Sequence, residues 1–158
     1  MSNAVEKEKA SPGLNFLFIL YLLLVIKLLI FKYPLSELRA IMDTWESGVI
    51  WEGLDSANFT LFNTIKMYIH YAYKLNSFEN LVGNFAVFMP FGYFLPRVGR
   101  WANHWFMLLG AAFFFSLGIE LFQLFSAFGE FDVDDLLLNT AGALFGYWIH
   151  LMSRKIFQ

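Results

Sequence analysis

Residues Leu14 to Phe31 form an eighteen-residue run in which Lys27 is the only charge. A helix needs about 20 predominantly apolar residues to cross a bilayer. Three further blocks approach or reach that length: about Asn80 to Val98, Trp105 to Phe128 and Val133 to Met152. Such blocks restrict the chain to a fold that lives in lipid. Composition agrees, with 58% hydrophobic and 15% charged residues, where a soluble domain has roughly 25% charged. The prediction is an all-α membrane protein: one domain over residues 14–152, a bundle of four transmembrane helices.

The composition also excludes classes of function. With no cysteine there is no disulfide, thiol nucleophile or cysteine-ligated metal. The net charge of -2 gives no support for nucleic-acid binding, which usually shows as a clustered basic surface. The three histidines, His70, His104 and His150, are far apart and form no ligand motif. Ser2-Asn3-Ala4 reads as a tag remnant and is set outside the fold. No A-x-A-like cleavage site follows the first block, which is therefore read as a retained helix.

Basic residues in short loops set the orientation. Arg97 and Arg100 lie between spans two and three, and Arg154 and Lys155 follow span four. The turn between spans three and four is acidic, with Glu130, Asp132, Asp134 and Asp135. Both terminal tails, 1–13 and 153–158, are expected in the cytoplasm, with the long connection 32–79 outside. Within it, Phe59, Phe62, Ile65 and Ile69 recur at helical spacing. That reads as an amphipathic helix, either resting on the outer leaflet or lying as a lid on the bundle. Residues 35–55 show no strong period.

Polar side chains in lipid are costly and mark function. Asn84 lies in span two, Glu120 and Gln123 in span three, Asp135 and Asn139 in span four. All fall in the half of the bundle near the acidic turn, and no cytoplasmic counterpart is expected. Glu120 and Gln123 share one helical side. Asp132, Asp135, Asn139, Gly142 and Gly146 form one stripe, whose glycine end is a small-xxx-small packing step. Pro90 removes a helical donor in span two, predicting a kink or break there. One aspartate serves as a helix cap, but three in four residues exceed that need. Asn84, Glu120, Gln123, Asp132, Asp135 and Asn139 are thus read as lining an outward-facing cavity. Its oxygen-only donors at Asp132 and Asp135 suit a divalent cation such as calcium or magnesium, or the amine of an organic ligand.

Four segments carry a family resemblance. Residues Asn80 to Gly92 resemble the N-x-x-x-N-x-x-x-F-x-P-x-G signature of VanZ-like membrane proteins. Ser116 to Gln123 is similar to that family's S-x-x-I-E-x-x-Q helix. Phe131 to Gly142 resembles its F-D-x-D-D-x-x-x-N-T-x-G segment. Asn58 to Phe62 is similar to an upstream N-L-x-P-F element, with Leu61 in place of the proline. The resemblance implies a bacterial membrane protein of the cell envelope. The family's founding members are associated with resistance to teicoplanin, a lipid-anchored glycopeptide.

Two readings follow. In the first, the chain is not an enzyme and binds a lipid-linked envelope component or amphiphilic glycopeptide in the cavity. In the second, it is a small membrane enzyme acting on a lipid or lipid-linked substrate at the outer leaflet. Glu120 would then be acid or base, with Asp132 and Asp135 holding a cation. A transporter reading is weaker, because no inverted repeat is evident in four spans.

Overall fold

The computed structural model describes residues 11–46, 48–71 and 77–156. Among them are seven α-helices: α1 Pro12–Leu29, α2 Leu35–Asp43, α3 Gly48–Ser56, α4 Asn63–His70, α5 Ser77–Val98, α6 Trp105–Ser126 and α7 Val133–Ile156. A 3-10 turn, Arg100–Asn103, joins α5 to α6.

Three helical segments are long and apolar enough to cross a membrane: Pro12–Leu29, Asn80–Val98 and Trp105–Ser126. The fourth predicted span, α7, is longer still at 24 residues. However, it carries Asp134 and Asp135 in its first turn and Arg154 and Lys155 in its last. By length and composition alone, three spans stand where four were predicted.

The long helices start and stop for local reasons. Pro12 occupies the first turn of α1, where its missing N–H costs nothing, and Ser11 Oγ accepts the Leu14 N–H at 3.2 Å. Lys27, the lone charge of the first block, donates to the Phe31 carbonyl at 2.8 Å just past the helix end. Helix α5 continues through both Pro90 and Pro96, so the predicted break does not occur. Near Pro90, the Tyr21 hydroxyl of α1 donates to the Val87 carbonyl at 2.7 Å.

Helices α5 and α7 form the closest pair. A Cβ on Gly142 would overlap the Phe85 carbonyl, and one on Gly146 would overlap that of Met89. Both pairings have the same offset in sequence, so α5 and α7 run parallel in constant register. Gly92 completes the seam from the other side, against the Ala143 carbonyl. Helix α1 runs antiparallel to α5, since Phe18 meets Phe91 while Tyr21 meets Val87. Helix α6 is antiparallel to α7, with Ser116 beside Asn139 and Glu120 beside Asp132. The core between them holds Val25, Phe88, Leu108, Ala112 and Ala143. The start of α1 and the ends of α5 and α7 therefore lie at one end of the bundle, and the acidic turn at the other.

The connection between α1 and α5 is helical where no period was read. Leu38 is the buried residue of α2, and α3 packs over Leu124, Phe131 and Leu136 through Leu54. Trp45 Nε1 donates to the Phe125 carbonyl at 3.0 Å. Of the predicted amphipathic segment only Asn63–His70 is helical among the described residues, as α4; Phe59 and Phe62 stand before it, and both are exposed, as is Ile69. The last part of that segment, residues 72–75, lies outside the described residues.

Candidate functional site

The three aspartates at the start of α7 hold three different parts of the chain. Asp132 caps α7, its Oδ1 accepting the Asp134 N–H at 2.8 Å. The same oxygen accepts Asn58 Nδ2 at 2.8 Å. Backbone bonds reinforce this contact, from Asn58 N to the Phe131 carbonyl (2.8 Å) and from Val133 N to the Asn58 carbonyl (3.0 Å).

Asp134 is fully buried. Its Oδ1 accepts the Phe62 N–H at 2.5 Å and its Oδ2 the Ile65 N–H at 3.1 Å. These donors belong to the cap and third positions of α4, whose own cap residue supplies no side-chain bond. Asp134 thus caps α4 from 72 residues away. It also holds Phe62 at a φ of 64°, a conformation that a bulky residue rarely adopts.

Asp135 takes neither role. It lies beside Asn84 of α5, with Lys32 as the facing cation. Glu120 is 2% exposed. Its Oε2 accepts the backbone N–H of Asp132 at 3.0 Å. Gln123 Nε2 donates to the Leu29 carbonyl at 2.9 Å, closing the end of α1. Asn139, 1% exposed, donates to Ser116 Oγ at 2.8 Å, while its Oδ1 is buried without a partner.

All six side chains singled out from sequence, Asn84, Glu120, Gln123, Asp132, Asp135 and Asn139, line a single cavity of about 170 Å³. Lys32, Tyr68 and Asn80 line it as well. Asn80 Nδ2 donates to the Tyr68 hydroxyl at 3.1 Å, joining α5 to α4. Asn80 was legible, standing four residues before Asn84 on the same side of the helix. Lys32 and Tyr68 carried no such signal, because they enter from the end of α1 and from α4. Gly142 and Gly146 stand outside the cavity, in the seam with α5.

Among the described residues, no three His, Cys, Asp or Glu side chains converge to hold a metal ion. Asp132 Oδ1 is already engaged by two N–H donors.

At the opposite end of the bundle, where no counterpart of the polar constellation was expected, Arg97 and His150 form a smaller polar cluster. Arg97 Nη1 donates to the Tyr93 carbonyl at 2.8 Å and meets His150 Nδ1 at 2.5 Å. Its Nη2 donates to Ser153 Oγ at 2.9 Å, and the guanidinium lies 3.8 Å from the centre of the Tyr93 ring. Arg97 therefore ties the end of α5 to α7, beyond any role in topology.

Fold and site together define an α-helical protein with membrane-length helices and a carboxylate-rich cavity at one end of the bundle. The chain belongs to the VanZ/LLP1 family, whose model matches residues 18–154. No curated protein and no solved structure matches it.

Proposed function

We propose that the chain is a bacterial cytoplasmic-membrane protein of the cell envelope that binds the polar end of an amphiphile in this cavity. In this reading α7 is the fourth span, because it pairs with α5 along a glycine seam. Its charges stand only at its two ends. Arg97, Arg100, Arg154 and Lys155 mark the cytoplasmic end, so both termini are cytoplasmic and the cavity opens outward.

One observation carries the binding reading. Three carboxyl groups, Glu120, Asp132 and Asp135, line the cavity against one ammonium, Lys32. Burying acids is unfavourable unless they are paired. An amine-bearing ligand supplies that pairing, and its apolar part remains in the surrounding lipid. A lipid-linked cell-wall precursor or an amphiphilic glycopeptide such as teicoplanin has this combination. Glu120 Oε2 accepts the backbone N–H at the start of α7, and in this reading Glu120 is a fixed group of the cavity lining.

The test is the inhibitory concentration of teicoplanin and vancomycin in a sensitive Gram-positive host. The strains carry empty vector, wild type or Asp135→Asn at matched expression. Protection against teicoplanin alone, lost in the variant, is expected. No protection by wild type would remove the resistance role and direct attention to envelope lipids.

A further inference from the structure

A second, apolar cavity of about 530 Å³ lies along α7 against Phe85 of α5 and Trp105 of α6, and shares no lining residue with the polar site. It runs from Phe85 and Ala141 to Leu151, a length along α7 of about 15 Å at 1.5 Å per residue. Leu144, Phe145 and Trp148 form its wall. At the basic end of the bundle it adjoins a third cavity, of about 340 Å³. The two share Trp148 and Leu151, and the third is bordered by Arg154 and Lys155. Both basic residues are exposed. Trp105 and Trp148, also exposed, stand where the groove meets this lip, as tryptophans do at the headgroup level.

An apolar channel that ends in two cations beside interfacial tryptophans matches the chemistry of an anionic phospholipid. An acyl chain fills the channel, and the phosphate meets the basic lip. A second copy of the chain fits less well. A two-fold contact over this groove would bring Arg154 and Lys155 of both copies together, and like charges placed so oppose association. We propose that this groove is a binding site for one anionic phospholipid in the leaflet at the basic end. The proposal rests on the membrane reading of α7 and is independent of the polar cavity.

The test uses the full chain, purified in detergent and delipidated. Native mass spectrometry and thermal unfolding are recorded with added phosphatidylglycerol, phosphatidylcholine or inorganic phosphate. Phosphatidylglycerol is expected to bind as one retained lipid and to raise the unfolding temperature. The double variant Arg154→Gln/Lys155→Gln is expected to weaken that binding at least tenfold. Asp135→Asn, in the polar cavity, is expected to leave it unchanged. Equal responses to the two lipids, or an unaltered double variant, would overturn the proposal. So would stabilisation by phosphate alone, or a dimer lost on Leu144→Arg substitution, which would assign the groove to a second copy.

Discussion

Glu120 of α6 holds the first turn of α7 in place by accepting the Asp132 backbone N–H at 3.0 Å. Asp132 caps that helix and binds Asn58, so one carboxylate fixes both the start of α7 and the connection docked on it. An amide oxygen can accept the same bond. Glu120→Gln should keep the fold, whereas Glu120→Ala leaves the donor without its partner and should cost about 1–3 kcal/mol. Thermal unfolding of both variants in one detergent checks the difference.

Asp134 should prove a structural residue. Its two oxygens accept the Phe62 and Ile65 N–H groups from within a fully buried position. Asp134→Ala should lower stability by about 2–3 kcal/mol and expose the connection around α4 to limited proteolysis. Asp134→Asn keeps one acceptor and should cost less. A cleavage pattern unchanged in Asp134→Ala would refute the capping role.

The α5–α7 seam predicts a contrast among glycines. Gly142→Ala and Gly146→Ala would drive a methyl into backbone carbonyls of α5 and should each cost about 1–3 kcal/mol. A Cβ at Gly118 meets nothing within 4 Å. Gly118→Ala should therefore be neutral or stabilise by up to about 1 kcal/mol through helix propensity. Unfolding temperatures that fail to separate the two kinds of substitution would contradict the register assigned here.

Ala127 ends α6 at a φ of 60°, a left-handed conformation. For a residue with a Cβ this costs about 1–2 kcal/mol, and glycine does not bear that cost. Ala127→Gly should raise stability by up to about 1 kcal/mol, read as a higher unfolding temperature.

The long helices and the six cavity residues were legible because lipid imposes simple rules. Apolar length sets the spans, and polar groups within them must face inward. Residue spacing then put Glu120 with Gln123 and Asp135 with Asn139. Other features rest on contacts that no local pattern encodes. Helix α4 depends on Asp134, which is 72 residues away. Arg97 finds His150 across 53 residues, so two residues read separately as a loop charge and an isolated histidine form one cluster. Helix α2 carries apolar residues at helical spacing, Leu35, Leu38, Ile41 and Met42, but α2 and α3 are only nine residues each, about two and a half turns, so the pattern ends before it repeats.

The central claim is that the carboxyl groups of the polar cavity recognise an amine on an amphiphile. The most direct measurement is the thermal stability of the purified full chain with phosphatidylethanolamine and with its N-acetylated form. Wild type and Asp135→Asn are compared at equal lipid concentration. The account predicts stabilisation of wild type by the free amine, little by the acetylated lipid, and loss of the difference in Asp135→Asn. Equal stabilisation by both lipids, or the same preference in Asp135→Asn, would contradict it.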